Sequence, residues 1–464
     1  QWELKNYFNQ LYTKEKYTWG IRSYIRYTHC PASLTVAHRN LPILFADNML
    51  IANCIYHRNE LSSPDNISEN TYRTVIGQTH ESILAEYEEM NTGNAYTDNV
   101  LYGMRKINGV NYQLTGGFCG ELSSVKQENA YSAHSYSFYT VPRIEWERND
   151  FLFTAATTVR WSHLPKQSYS RFCVSPFFCF RYKFTPRWKM SLLGSLDESE
   201  GGLKDIYPFR YREDYRTVVK HTGKVPVTVR QLYTCYLEYK NTIKEFFWTL
   251  SASYSHNRYN LITERNYKDG NFYLSSVERN HSSHSYTLNT IGSKGIYDWN
   301  LKTSLELTLA RNEGKQLNEG IVQDYRYDYL CVEPKIVWAP SVFFEAEYKA
   351  TVSCVGGGIG EDTSLDPLWE VAQRLTLSLE FHDTEFRLSG EHFYNDLSKN
   401  QHLNIWLADV SLIHKVGKWR FAASAINLFN KEQYRYTLYS AVQSYTSWIK
   451  LRPREFMVSV QYQW

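Results

Sequence analysis

The sequence reads as an all-β chain, an antiparallel up-and-down barrel of roughly 18–22 strands that crosses a membrane, with no plug domain in the chain. Three features carry that expectation: a final strand apolar on one face, the recurrence of its two-residue period, and alternating short and long connections. Phe456, Val458, Val460, Tyr462 and Trp464 share one parity, and Met457, Ser459, Gln461 and Gln463 share the other. A strand here is therefore apolar on one side only. An open strand edge invites pairing with other chains, and closing the last strand on the first removes it. The five apolar positions are read as a terminal signal for barrel-assembly machinery.

Composition narrows the class. The 464 residues are 43% apolar and 21% charged with net charge +3, which excludes a disordered polymer and gives no reason to expect nucleic acid as a partner. Aromatic residues make up 16% of the chain, with 38 Tyr, 13 Trp and 23 Phe. Membrane barrels place such residues in girdles at both water interfaces, although a Tyr-rich soluble β-protein shares the composition. No apolar run approaches the roughly 18 residues a membrane helix needs, and a negative mean hydropathy does not count against a barrel, where only alternate residues meet lipid. Gln1-Trp2-Glu3-Leu4-Lys5 is no signal peptide, so a leader has been removed or the chain is a fragment.

The same alternation recurs upstream. Trp248, Leu250, Ala252 and Tyr254 alternate with Thr249, Ser251, Ser253 and Ser255; Leu301 to Leu309 alternate with Lys302, Ser304, Glu306 and Thr308. Phe151 to Trp161, Phe178 to Phe184, Leu375 to Phe381 and Trp419 to Ala425 behave likewise, and Arg181, Lys183, Glu306 and Glu380 fall on the polar parity. A lipid-facing Lys or Arg at mid-membrane costs roughly 2–4 kcal/mol, so charge-free stripes fit lipid. Tight links are read at Asn149-Asp150, Thr185-Pro186-Arg187, 241–244, Tyr297-Asp298, Pro340-Ser341, His382-Asp383 and Gly417-Lys418. Longer segments lie near 164–169, 197–229, 257–283, 312–324, 355–370, 396–403 and 430–445. Short turns at one rim and long loops at the other mark an outer-membrane barrel.

The chain is read as one barrel domain, 1–464, with regular hairpins over 101–464 and less defined opening strands over 1–100. Tyr17 to Tyr27 and Asn48 to Arg58 look like strands, whereas Thr74 to Met90 fits helix or strand. A barrel of about 22 strands is normally plugged; no plug is legible here, so plug and opening strands are expected to precede residue 1.

Chemistry-bearing motifs are few. Eight cysteines without a CxxC pair read as scattered thiols, Cys119, Cys173, Cys179 and Cys331 on polar faces and Cys235 and Cys354 on apolar ones, with one or two loop or lumen disulfides left open. His281 and His284, three apart on a strand, point to opposite faces. Gly356-Gly357-Gly358-Ile359-Gly360 lacks the Lys-Ser/Thr ending of a phosphate loop and reads as an external loop. Rows of hydroxyls such as Ser251 and Ser253 read as a polar wall. No catalytic residue, metal site or cofactor is assigned. The binding candidate is the segment 197–229, where Tyr207, Phe209, Arg210, Tyr211, Arg212, Asp214 and Tyr215 combine aromatic faces with guanidinium groups suited to anionic or sugar-like ligands. A solvated loop packing over its neighbours fits equally.

Asn427-Leu428-Phe429-Asn430-Lys431, a Tyr-rich loop, and Leu451-Arg452-Pro453-Arg454 leading into the terminal strand together resemble the C-terminus of TonB-dependent outer-membrane receptors. Pro176 to Arg216, with a Pro-started strand, a Thr-Pro-Arg turn and an acidic, Tyr-rich loop, is similar to the large barrels of Bacteroidota. The likeness runs from about residue 110. It implies a bacterial outer-membrane location and energised import of a bulky, scarce nutrient. The partners it implies are outer-membrane lipid, a TonB-type coupling protein acting through a plug, and a surface lipoprotein. An outer-membrane scaffold or assembly component, and an outer-membrane hydrolase, are the alternative readings.

Overall fold

The structure is a computed structural model that describes residues 2–14, 17–39, 55–58, 83–126, 130–213, 217–268, 271–360, 363–398, 401–439 and 444–463. In chain order the strands are β1 (Trp2–Lys14), β2 (Tyr17–Arg39), β3 (Ile55–Arg58), β4 (Ile83–Ile107), β5 (Val110–Lys126), β6 (Ala130–Arg148), β7 (Phe151–Leu164) and β8 (Tyr169–Thr185). There follow β9 (Trp188–Glu200), β10 (Tyr211–Arg212), β11 (Thr217–Lys220), β12 (Val227–Asn241), β13 (Phe246–Lys268), β14 (Asn271–Ile296), β15 (Leu301–Asn318) and β16 (Ile321–Ser341). The last are β17 (Phe344–Ile359), β18 (Thr363–Phe381), β19 (Thr384–Ser398), β20 (Gln401–Val416), β21 (Trp419–Ile426), β22 (Gln433–Tyr439), β23 (Ser444–Lys450) and β24 (Glu455–Tyr462). Among the described residues only single 3-10 turns interrupt them.

All but β22 and β23 belong to one 22-stranded sheet, and those two form a separate hairpin. The long strands pair antiparallel with their neighbours in sequence, β2 passing to β4, β9 to β12 and β21 to β24. The fold is the expected all-β, up-and-down sheet of barrel type. One expectation differs: among the described residues no pairing joins β24 to β1, and each keeps one edge without a ladder. Of the opening residues, the strand read at 17–27 is the first part of β2, which continues to Arg39, β3 falls within the strand read at 48–58, and 83–90 is strand; 74–82 lie outside the described residues.

The ladder registers align the stripes from strand to strand. Leu250, Thr290, Leu307, Val332, Val352 and Val371 lie opposite one another across six strands, so one-sided alternation becomes a continuous apolar band. Rings flank the band. Near the short turns Trp188 meets Tyr239 at 4.8 Å, Trp338 meets Phe344 at 5.8 Å and Trp419 meets Tyr462 at 4.8 Å. Toward the other rim Tyr254 meets Tyr286 at 5.0 Å and Phe138 meets Trp161 at 6.1 Å. Phe153 to Trp161 spans eight residues, about 27 Å along the strand before tilt, which suits the ~25 Å apolar height of a barrel wall.

Burial distinguishes inside from outside. Large apolar side chains on the band stand free, Leu114 at 59% and Phe172 at 64%, while small polar ones of opposite parity, Thr154 and Ser162, are each 4% exposed. Crowding of small residues on one face follows from a sheet concave toward that face. Lys189–Glu238 at 2.6 Å and Lys349–Glu347 at 2.7 Å lie on this inner parity. The six cysteines whose side chains are described are free thiols, with 119, 173, 179 and 331 inward and 235 and 354 outward, as parity required.

Mid-strand prolines sit at ladder gaps. Pro176 lies well inside β8, which begins at Tyr169 rather than at the proline, and pairing with β9 starts only at Phe177. Pro142 and Pro334 fall in interruptions of the β6–β7 and β16–β17 ladders. The missing N–H is placed where no bond is required. Several long connections are strand rather than loop: β13 and β14 run to 268 and from 271, and β15 and β16 meet at Glu319-Gly320 with φ +48° and +79°, a type I′ geometry that suits hairpins. Continued pairing satisfies backbone groups that a loop would leave to water. The tight turn expected at Pro340-Ser341 lies two residues on, since β16 ends at Ser341 and β17 starts at Phe344.

Candidate functional site

The mouth at the long-connection rim is crossed by the segment 201–226. It is pinned at its base, where the Gly201 N–H donates 2.7 Å to the Pro226 carbonyl. A bulge in β13 between Tyr259 and Leu261 frees Asn260 from the ladder. The Asn260 side chain accepts from the Val227 N–H at 2.7 Å and donates to the Val225 carbonyl at 2.9 Å. Asp205 closes the following turn by accepting from the Gly202 N–H at 2.8 Å.

One end of the segment docks on the inner face of β6 and β7. Ile206 and Tyr207, 0% and 2% exposed, pack with Tyr131, Ala133 and Leu164. Tyr207 meets Tyr131 edge-on at 5.6 Å, and Tyr131 Oη accepts 2.7 Å from Gln167 Nε2 with Lys166 Nζ 3.7 Å over its ring. The other end docks on β14: Thr217 to Lys220 run parallel to Phe272 to Ser275. Arg210 stacks 5.3 Å over Tyr273, His221 Nδ1 lies 3.1 Å from Ser276 Oγ, and Lys224 pairs with Glu278 at 2.7 Å. β6 and β14 are six strands apart, an arc of about 29 Å, so the segment is a chord over the concave side.

The chord divides the expected binding residues into two sets. Tyr207 and Tyr211 hold it in place, Tyr211 partly buried with its phenol pushed up to about 12 by burial and by Glu213 and Asp205. Phe209 and Arg210 are exposed, and Arg212 is half-buried. Asp214 and Tyr215 lie outside the described residues. Beneath the docked end is a polar cluster that strand parity alone does not gather, with Arg160, Arg171 and Tyr169 on the inward parity and Glu198 and Glu200 on the other parity of β9. Arg171 donates to Glu198 at 2.9 Å, Arg160 donates to the Glu198 carbonyl at 2.9 Å and lies 3.9 Å from Glu200, and burial raises the Tyr169 phenol. Phenol, guanidinium and carboxylate groups there can hydrogen-bond a polar solute entering under the chord.

The other motifs resolve geometrically. His281 stacks on Tyr259 at 4.8 Å, and His284 stacks on His256 at 4.5 Å. Adjacent-parity pairing places the two histidines on opposite faces. Asn427, at φ +54° and 5% exposed, joins the two halves of the C-terminal motif. Its Nδ2 donates to the carbonyls of Lys431 and Arg452 at 2.8 Å each, its Oδ1 accepts from the Lys431 N–H at 2.9 Å, and its own N–H donates to Asp409 at 2.8 Å. Asn430 Oδ1 accepts from the Arg454 N–H beyond Pro453, at 2.9 Å. Leu428 donates its N–H to the Ala408 carbonyl at 2.8 Å, and the Phe429 ring is 55% exposed. In the last strand Phe456, Val458, Val460 and Tyr462 stand outward and exposed; Trp464 is outside the described residues. Among the described residues no group of three or more metal-ligating side chains converges.

No family model and no curated protein matches the chain. Solved structures do. The ferric yersiniabactin uptake receptor FyuA from Yersinia pestis is 11% identical with TM-score 0.40, over 96% of this chain and 68% of that one. The ferric-catecholate import receptor Fiu from E. coli K12 is 9% identical with TM-score 0.28, over 99% and 79%. A TodX monoaromatic hydrocarbon channel mutant is 7% identical with TM-score 0.19, over 94% and 88%. Likeness at this level carries no functional argument, which rests on the chain's own geometry.

Proposed function

We propose that the chain is the wall and mouth of a bacterial outer-membrane receptor that takes up a bulky solute through its lumen. The observation that carries this reading is the outward band: exposed Leu, Phe and Val aligned across many strands, bounded by rings on both sides, over an inner face of hydroxyls and ion pairs. Exposing such a band to water is unfavourable at roughly 25 cal/mol per Å², and immersion in hydrocarbon removes the cost. The solute is polar or anionic and engages Phe209, Arg210 and Arg212 on the chord and Tyr169, Arg160 and Arg171 below it, with Asp214 and Tyr215 as further ligand-binding candidates from the same stretch of sequence. Energised passage requires a plug and a TonB-type coupling protein, assembly requires barrel-assembly machinery acting on the Phe456 to Trp464 strand, and a surface lipoprotein caps the mouth. The chord also favours a second reading, a sealed outer-membrane scaffold.

Flotation of purified protein with phospholipid vesicles, followed by planar-bilayer conductance, tests the proposal. Flotation with a wide conductance, or with conductance appearing on deletion of 203–224, supports uptake. Flotation with silence in both forms supports the scaffold. Absence of flotation defeats both.

A further inference from the structure

Outward glycines leave gaps in the wall whose surroundings differ. Gly356 and Gly358, read from sequence as part of an external loop, are the end of β17. Gly103 stands instead in the outer stripe of β4, close to the short-turn rim. Two aligned rows surround it. In the lower, Tyr17, Arg105 and Tyr112 face one another across β2, β4 and β5; in the upper, Trp19, Gly103 and Leu114 do. Arg105 is two residues from the end of β4, so the lower row lies at that rim. A groove of about 530 Å³ runs over both rows, with Pro142 as its far wall. Its floor is bare backbone, since a Cβ on Gly103 would have nothing within 4 Å. Exposed Trp19 and Leu114 form its sides. A gap one side chain wide between a ring and an aliphatic branch takes a hydrocarbon chain by dispersion contact.

The charge beside the groove is of one sign. On the outward parity of β2 from 17 to 29, β4 from 91 to 107, β5 from 110 to 124 and β6 from 134 to 146, Arg105 is the sole Lys, Arg, Asp or Glu. Its guanidinium lies 4.8 Å over the Tyr17 ring, and among the described residues it has no ion pair or hydrogen bond. The Tyr17 and Tyr112 hydroxyls on either side likewise meet no protein acceptor among the described residues. The row therefore presents one full positive charge and a line of N–H and O–H donors, with no carboxylate to answer them. A phosphodiester carries one negative charge on oxygens that only accept, which complements that row. Aromatic residues at a rim also suit the headgroup layer.

We propose that the outward groove over Gly103, headed by Arg105, holds an anionic phospholipid of the leaflet at the short-turn rim, with its phosphate on Arg105 and one acyl chain between Trp19 and Leu114. The proposal rests on the membrane reading above, and its test separates the two. Purified protein is floated with phosphatidylcholine vesicles containing phosphatidylglycerol, extracted in mild detergent, and assayed for phosphatidylglycerol retained per protein. Wild type retains it in excess over phosphatidylcholine. R105Q lowers retention about fivefold, the contribution of one surface cation to anionic-lipid affinity. G103L, which fills the groove and leaves the charge in place, lowers it as well. R148Q removes an exposed cation of the same outward parity beyond the groove and leaves retention unaltered. Retention by R105Q or by G103L equal to wild type overturns the proposal, as does a loss in R148Q as large as in R105Q, which diffuse surface charge predicts. Full displacement by inorganic phosphate overturns it too and identifies a free-anion site. Flotation without preference for phosphatidylglycerol sinks only this inference, whereas failure to float sinks the membrane reading. Heat-modifiable gel migration confirms that each variant is folded.

Discussion

The two rims of the sheet are built on different principles. At the short-turn rim each hairpin closes on its own residues: Thr185 Oγ1 accepts from the N–H groups of Arg187 and Trp188 at 3.2 and 3.1 Å, Asn241 Oδ1 accepts from Lys244 at 3.1 Å, and Asn149 and His382 take positive φ. At the opposite rim order comes from remote partners. Asn260 holds residues 225 and 227, Tyr131 holds Tyr207, and Asn427 holds Arg452. Local closure makes a rim robust to change elsewhere, while remote closure makes it depend on a few side chains.

The contrast can be broken most severely in the wall that both rims share. Leu305, 51% exposed on the outer stripe between the rings, changed to Arg should cost about 2–4 kcal/mol in a bilayer. Ser304→Arg, one residue away on the inner face, should cost far less; chemical unfolding in vesicles measures both. Equal effects would show that the two faces meet the same solvent.

At the remote rim, Asn427→Ala removes a residue that satisfies several buried backbone groups at once. A loss of about 2–3 kcal/mol is expected from the groups left unsatisfied, read in the same unfolding assay. Asn149→Ala, at the local rim, should cost about 1 kcal/mol through its positive φ.

Tyr207→Ala tests the chord without touching the wall. Deletion of a buried aromatic ring costs up to about 3–5 kcal/mol where it is felt, and here it should free 203–224 to protease while leaving global unfolding nearly unchanged. Coincident loss of both would show that the chord is part of the wall's cooperative unit.

The smallest effect is a pH dependence. Burial lowers the His281 pKa below its ordinary 6.5, with the Arg279 carbonyl opposing. The neutral form is favoured in the folded hairpin, so its contribution is present above about pH 6.5 and is lost as pH falls through the depressed folded value. Hydrogen exchange at the tip of β13 and β14 should quicken over that range and stay level in His281→Phe.

Parity, turn chemistry and the charge-free stripe are local properties, and the residues show them directly. Strands, most short turns, cysteine orientation and the opposite facing of His281 and His284 were legible because a pleated strand alternates at every residue, whereas the turn read at Pro340-Ser341 lies at 342–343. Residues 257–283 and 312–324 read as loops because their outer stripes turn polar, yet paired strand continues there to satisfy the backbone. Which residues meet across the mouth, that Tyr207 anchors while Phe209 and Arg210 stay exposed, and that Arg105 stands over Tyr17 follow from curvature and register over many strands. Contacts such as Tyr131 with Tyr207 and Arg210 with Tyr273, between residues many strand lengths apart in sequence, leave no periodic trace in the chain, because they arise only once the whole sheet has curled.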